Sequence, residues 1–92
     1  MSKIRQSARE EECTVRIIGI CNHDPQTTVL AHLGGAGWGR KQNDIHGAYC
    51  CSSCHDAVDG RRKTEYDKDS LKLWHLEGVI RTQTILLEKG LI

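Results

Sequence analysis

The sequence predicts an α+β fold: a small domain with short strands and a long C-terminal helix. Short β-branched stretches fill the first half, glycine and polar turns separate them, and the last third repeats apolar residues at a helical period. The chain has 92 residues, for which a single domain over residues 1–92 is the expectation.

The composition indicates a thin hydrophobic core. Hydrophobic residues make up 38%, aromatic residues only 4%, and Phe is absent. A domain of this size often needs a metal or a disulfide to supplement its core. The formal net charge of +1 excludes a strongly basic protein, so any nucleic-acid surface must come from local clustering.

The sequence favours a cytoplasmic protein with no membrane partner. No apolar run approaches the roughly 20 residues of a membrane span, and residues 1–7 lack the apolar centre of a signal peptide. Disulfides are rare in the cytoplasm, so the five cysteines favour metal binding.

The first third is expected to hold an arm, a bent segment and a turn. Residues 1–12 carry basic and then acidic side chains, which is typical of a flexible terminus. Residues 13–21 are β-branched and predict either a strand or a two-armed knuckle bent at Gly19. Residues 22–25 have the composition of a turn.

Two further strands are predicted around a glycine-rich loop. In residues 27–33, alternation puts Val29, Ala31 and Leu33 on one face and Leu30 and His32 on the other. Residues 34–42 predict a mobile loop in which Trp38 packs or stacks. Residues 43–49 predict a third short strand.

Two helices complete the chain. Residues 53–60 predict a short helix that stops at Gly60, and residues 70–89 a long one that stops at Gly90. Asp69 or Ser70 is the expected N-cap of the long helix. Its core-facing stripe is expected to consist of Leu73, Leu76, Ile80 and Leu87, widened by Val79 and Leu86.

Four cysteines predict a structural zinc site. Cys51 and Cys54 have the Cys-x-x-Cys spacing of a zinc knuckle, and Cys13 and Cys21 form a looser second pair. Cys50 could replace Cys51, although its sulfur would point away from an extended segment. His23 could replace Cys21. The alternative is that these residues are small buried thiols.

The constellation of residues resembles a known family. The sequence has four features in this order: a cysteine pair, a strand ending in Ala31-His32, a loop with Asn43-Asp44, and the motif Cys51-x-x-Cys54-His55-x-x-x-Asp59. This order is similar to that of zinc-stapled HNH endonucleases, whose ββα-metal fold is built on a treble-clef zinc finger. More narrowly, residues 5–90 resemble small phage and prophage nucleases related to a phage RecA-dependent nuclease.

The resemblance implies a role for each matching residue. His32 would be the general base, and His55 would bind the catalytic divalent metal with Asp59 as a second ligand. Asn43 and Asp44, with His46 as a third candidate, match the middle residue that orients the base. Family members usually have a ligand just before the base, where this chain has Ala31. The metal site is therefore a ligand short unless Asp44 or Asp59 fills it.

The chemistry of these residues fits phosphodiester hydrolysis. A neutral imidazole can take a proton from water at physiological pH, and His with Asp suits Mg, Mn or another divalent ion. The resemblance implies a DNA endonuclease in phage or prophage recombination or DNA processing, with single-stranded or recombinase-coated DNA among the candidate substrates. The alternative is a zinc-stapled module that binds nucleic acid or protein without cutting. A redox use of Cys51 and Cys54 lacks the usual βαβ context.

Overall fold

The structure, a computed structural model, describes residues 3–33 and 43–92. Its helices and strands are α1 (Lys3–Ser7), β1 (Val29–His32), β2 (Gly47–Cys50), α2 (Ser52–Val58) and α3 (Lys68–Glu88). Single 3₁₀ turns occupy Pro25–Thr27 and Asp44–His46. The two strands, the short helix after them and the long last helix form the α+β arrangement that the sequence predicted.

The two strands form an antiparallel pair whose faces contact different apolar clusters. The register runs from Val29 opposite Cys50 to His32 opposite Gly47. Because side chains alternate along a strand, Ala48 and Cys50 face the cluster that holds the other cysteines, whereas Tyr49 faces a second cluster. All four residues of β2 are buried, so this strand is the centre of the molecule.

The N-terminal segment packs on the body, where the sequence predicted a flexible arm. The hydroxyl of Ser7 lies 2.7 Å from that of Tyr49. Ala8 is 1% exposed and joins Tyr49 and Leu86 in the second cluster. Ser7 and Ala8 thus hold this largely charged and polar segment against the body.

Residues 13–21 take the bent form rather than the strand form. The backbone N–H groups of Ile20 and Cys21 both donate to the carbonyl of Ile17. Gly19 has a φ of 78°, a left-handed conformation that glycine adopts without strain. The predicted knuckle at Gly19 is confirmed, and the alternative of a strand is wrong.

The strand predictions were too long on both sides of the glycine-rich loop. Pro25–Thr27 forms a 3₁₀ turn before β1, and Asp44–His46 forms another before β2. Leu30 and Ala31 do lie on opposite faces, but Val29 is 44% exposed because it lies at the start of β1. The loop predicted for residues 34–42, with Trp38, Arg40 and Lys41, lies outside the described residues.

Helix α2 begins at the zinc-knuckle motif, close to where the sequence placed it. Cys51 is its N-cap, and the sulfur of Cys51 accepts a hydrogen bond from the N–H of Cys54 at 3.3 Å. The helix ends at Val58, and Gly60 has a φ of 81° just beyond it. The predicted helix and its glycine stop are confirmed.

Helix α3 matches its predicted length, but its cap and its buried face differ. Asp67 is the N-cap, accepting the N–H of Ser70 at 2.7 Å, so the prediction of Asp69 or Ser70 is wrong by two or three residues. Val79 and Leu86, which were expected to widen the core stripe, are buried. The four main members of that stripe are instead exposed, as follows: Leu73 54%, Leu76 42%, Ile80 58% and Leu87 63%.

An adjoining side of α3 is the buried one. It carries His75, Gly78, Val79, Thr82 and Leu86. A Cβ on Gly78 would lie 2.8 Å from a methyl carbon of Val15, so only glycine lets the helix come this close to residues 14 and 15. Polar and small residues therefore share the buried side with Val79 and Leu86, whereas the helical period predicted mainly leucines there.

Hydroxyl groups join this buried side to β2. The N–H of Tyr49 donates to the hydroxyl oxygen of Thr82 at 3.0 Å, and that oxygen lies 3.0 Å from the hydroxyl of Thr14. The N–H of Tyr49 is thus satisfied by the helix, and the carbonyl of Tyr49 accepts the N–H of Thr14 at 2.8 Å. None of the helices in residues 3–33 and 43–92 is long and apolar enough to cross a membrane.

Candidate active site and metal centre

Four sulfur atoms meet at the junction of the bent segment, β2 and α2. The sulfurs of Cys13, Cys21, Cys51 and Cys54 all lie within 4.8 Å of one another. Gly19 brings Cys13 and Cys21 together, and the first turn of α2 brings Cys51 and Cys54 together. The predicted grouping of these four cysteines is therefore the one that the fold assembles.

The geometry of the cluster fits a metal ion such as zinc. In a tetrahedral site with Zn–S bonds of about 2.3 Å, neighbouring sulfurs lie about 3.8 Å apart. The sulfurs of Cys51 and Cys21 are 3.8 Å apart. Backbone N–H groups also point at the sulfurs, from Arg16 to Cys13 at 3.4 Å and from Cys54 to Cys51 at 3.3 Å. Such donors stabilise thiolates, the ionised form that binds metal.

The thiols also act on one another. Hydrogen bonds from Cys50 and Cys54 hold the pKa of Cys13 well below its usual range. Burial raises the pKa of Cys21 to about 11. A thiolate at Cys13 that accepts hydrogen bonds from neighbouring thiols would attract a metal cation to this cluster.

Cys50 lies beside the cluster but is not one of its four members. It is fully buried, and its hydrogen bond to Cys13 raises the pKa of its thiol. The expectation that its sulfur would point away is wrong, because β2 turns that side chain toward the same apolar cluster. His23 also stands outside the four, with its Nδ1 3.7 Å from the sulfur of Cys21.

His32 and Asp44 form a close pair at the end of β1. The Nε2 of His32 is 2.7 Å from Oδ1 of Asp44, and both side chains are partly exposed, at 23% and 18%. The same carboxylate oxygen lies 3.4 Å from the guanidinium of Arg5. Strand β1 fixes the position of the histidine, and the 3₁₀ turn Asp44–His46 fixes that of the carboxylate.

His55 and Asp59 form a second pair on α2. Their spacing of four residues places the Nε2 of His55 3.3 Å from Oδ2 of Asp59, as the sequence predicted. Arg61 also contacts this carboxylate oxygen, at 2.9 Å. The carboxylate therefore already has a cationic neighbour.

His75 lies behind the two pairs. Its Nε2–H donates to the carbonyl of Ala31 at 2.8 Å, next to His32 in β1. Burial lowers the pKa of His75, and the charges of Asp59, His55 and His32 act on it as well. The pairs from β1 and α2 thus both lie near one neutral, buried imidazole on α3.

The two pairs do not merge into one metal cluster. Within residues 3–33 and 43–92, the four cysteines are the only group of three or more potential ligands drawn together at metal-binding distances. Asn43 is exposed and precedes the 3₁₀ turn without a side-chain cap bond, and the side chain of His46 is exposed. Of the candidates for the middle residue, Asp44 is the one that the structure places on His32.

The comparisons with known proteins identify the family. Residues 2–91 match the family described as "Putative nuclease YbcO". The chain belongs to this family. It is 45% identical to "Putative nuclease YbcO" of Escherichia coli (strain K12) and to "Putative nuclease ybcO" of Enterobacteria phage 82, each over 100% of this chain and 98% of the relative.

A solved structure has the same YbcO-type fold. It is the "Structure of a putative bacteriophage protein from Escherichia coli str. K-12 substr. MG1655", 45% identical in sequence, with a TM-score of 0.82. The match covers 96% of this chain and 100% of that one. The family therefore has phage and E. coli members, in line with the context that the sequence predicted.

Sequence reasoning missed two neighbours of the candidate site. Arg5 contacts Asp44 from a segment that was predicted to be a flexible arm, and His75 contacts Ala31 from the buried side of α3. Neither has a sequence signal, because each contact joins residues more than thirty positions apart.

Proposed function

We propose that this chain is a metal-dependent endonuclease that hydrolyses DNA phosphodiester bonds, with His32 as the general base. The observation that carries the proposal is the 2.7 Å contact between His32 and Asp44 at the end of β1. Membership of a family described as nucleases supports it. The order β1, β2, α2 beside a four-cysteine cluster supports an HNH-like ββα unit on a zinc-stapled treble clef.

In this proposal Asp44 orients the base. Its carboxylate accepts the Nε2 proton of His32, which leaves the lone pair on Nδ1 to take a proton from water. The hydroxide oxygen formed in this way attacks phosphorus, the bond from phosphorus to the leaving sugar oxygen breaks, and that oxygen takes a proton from solvent water. The carboxylate also stabilises the imidazolium that results.

The proposed catalytic metal would be held by His55 and Asp59. Asp44 is engaged by His32, and Ala31 is 1% exposed and has no ligand atom, so these two side chains are the donors left in the motif. An imidazole and a carboxylate 3.3 Å apart suit Mg, Mn or another divalent ion, with water or phosphate as further ligands. When bound, such an ion neutralises charge on the scissile phosphate and the leaving oxygen.

Cationic side chains near this pair would hold the DNA backbone. Arg61 and Arg62 follow α2 and are exposed, and Arg61 already lies against Asp59. Phosphate contacts of this kind position a nucleic acid without reading its sequence. We further propose DNA as the partner in the bacterial cytoplasm, with single-stranded or recombinase-coated DNA of phage recombination as one form.

The test is a nicking assay on plasmid and single-stranded DNA, run with Mg, Mn or EDTA and with or without a recombinase filament. Wild type should cut in a divalent ion and stop in EDTA. His32→Ala should cut about two to four orders of magnitude more slowly, the usual effect of losing a general base. The His46→Ala variant is the matched control, since that imidazole is exposed, and it should keep most of the activity.

The His55→Ala variant separates the metal from the base. It should lose cleavage together with the dependence on the divalent ion, while keeping the zinc content and fold of wild type. An unchanged cutting rate in His32→Ala would contradict the assignment of the base.

A second function is favoured by one observation. Among the described residues the candidate catalytic groups form two pairs rather than a cluster of three ligands, which suits a zinc-stapled module that binds nucleic acid or protein without cutting. DNA binding without cleavage in every metal tested would support this alternative.

A further inference from the structure

The exposed side of α3 carries an apolar stripe that is interrupted once, at Gln83. Leu73, Leu76, Ile80 and Leu87, here called the α3 stripe, are each between 42% and 63% exposed. Their spacings of three, four and seven residues keep them on one side of the helix, over a length of about 21 Å at 1.5 Å per residue.

The rest of the fold does not cover this stripe. An adjoining side of α3 is already packed against the body through Val79, Thr82 and Leu86. A helix that is apolar on both sides is usually covered on both sides. Exposed aliphatic residues in a row, rather than scattered singly, indicate an interaction surface.

The spacing of the stripe is that of a coiled-coil seam. The intervals from Leu73 to Leu76, to Ile80, to Gln83 and to Leu87 alternate between three and four, which is the a/d pattern of a heptad repeat. Gln83 is the polar member, and its side-chain amide donates to the carbonyl of Ile45 at 2.7 Å. Its polar group is therefore already satisfied within the chain.

We propose that the α3 stripe is the interface of a homodimer in which the two α3 helices pair in parallel. Charge complementarity selects a second copy of this chain as the occupant. Lys72 and Glu77 flank the stripe at the g and e positions, five residues apart, which is the g–e′ spacing of parallel two-stranded coils. Twofold symmetry then gives two Lys72–Glu77 pairs between the copies.

Both charges are available for this role. Lys72 and Glu77 are exposed, and within residues 3–33 and 43–92 neither takes part in an ion pair. The inference does not depend on the proposed catalytic activity, because no residue of the stripe belongs to the candidate active site.

The first experiment measures mass in solution by sedimentation velocity and light scattering over a range of protein concentrations. Wild type should move from monomer to dimer as the concentration rises. Ile80→Glu should raise the dimer dissociation constant at least about a hundredfold, because each copy would bury a carboxylate in the seam. Ile18→Glu is the matched control, since Ile18 is 84% exposed outside α3, and it should dimerise like wild type.

The second experiment tests the register by exchanging charges. Lys72→Glu and Glu77→Lys should each weaken the dimer by about fivefold or more, because both symmetric pairs become repulsive. The double variant should restore the wild-type dissociation constant. Each variant should fold like wild type, because all these positions are exposed in the monomer. Circular dichroism and zinc content check this.

Three results would overturn the proposal. A wild type that stays monomeric at the highest soluble concentration has no such interface. A dimer that survives Ile80→Glu uses another surface. Failure of the charge-exchange variant to recover rules out parallel pairing through Lys72 and Glu77.

Discussion

At the scale of single residues, the hydroxyl of Thr82 shows how a polar group can be essential in a core. It is fully buried and accepts the N–H of Tyr49 at 3.0 Å. Thr82→Val keeps the shape but removes the acceptor, leaving a buried N–H without a partner. The free energy of unfolding should fall by about 1–3 kcal/mol, measured by urea denaturation.

Thr84→Val is the matched control for this substitution. Thr84 lies on the same helix but is exposed, and its hydroxyl donates only to the carbonyl of Ile80 within the helix. Its stability should stay within about 0.5 kcal/mol of wild type. Equal stability of the two valine variants would contradict the role given to Thr82.

Site residues could be predicted from the sequence where spacing along the chain sets their geometry. The turn between Cys51 and Cys54 and the four-residue step from His55 to Asp59 are such cases. The position of Asp44 on His32 and of His75 behind the site depends on how β1, the 3₁₀ turn and α3 meet. No local sequence pattern predicts those contacts between elements. The sequence therefore left Asp44 as one of several candidates and predicted no specific contact for His75.

At the scale of elements, the period of α3 predicted a helix and its length but not the face that is buried. Both sides of the helix carry apolar residues, and the leucine-rich side is the exposed one. The choice is made by small and polar residues: Gly78 admits Val15 at close range, and Thr82 bonds to β2. The spacing of apolar residues identifies an apolar stripe on the helix. Which stripe packs against the core depends on where small residues let the helix come close to its neighbours.

This reversal changes what leucine substitutions on α3 should do. Leu86→Ala should lower the free energy of unfolding by about 2–5 kcal/mol, because Leu86 is fully buried against Tyr49 and Leu30. Leu76→Ala should change it by less than about 1 kcal/mol, because that side chain is 42% exposed. Both are measured at dilutions where the proposed dimer is dissociated.

The reverse order of these two effects would contradict the observed orientation of α3. It would indicate instead that the leucine-rich side of α3 lies in the core, as the sequence alone suggested. The comparison is informative because both substitutions remove the same atoms from the same helix.

At the scale of the whole molecule, the cysteine cluster lies inside the larger of the two apolar clusters rather than at its edge. Cys13, Cys51 and Cys54 are among the buried residues that pack with Val79 and Ala48. The short strands and the small number of large apolar side chains leave little else to join the bent segment to α2. An ion at this point would bind four positions spread over about forty residues, and it would stabilise the fold as a long-range cross-link does.

We therefore expect metal removal to unfold the protein. Structural zinc is bound only by the folded chain, so its binding free energy adds to the stability of the fold. Elemental analysis should find about one zinc per chain, and a strong chelator should lower the melting temperature. Cys54→Ser should lose the zinc and be largely unfolded, because a hydroxyl is a poor zinc ligand and that position is fully buried.

Cys50→Ser is the matched control, since Cys50 is equally buried and touches Cys13 and Cys54 without belonging to the group of four. It should keep a full equivalent of zinc and a folded circular dichroism spectrum, with only a small loss of stability from the buried hydroxyl. Zinc loss in Cys50→Ser but not in Cys51→Ser would show that the adjacent cysteine is the ligand. The prediction would be contradicted if folded wild-type protein held well under half an equivalent of zinc and a chelator did not affect its stability. Zinc would then not be needed for this fold.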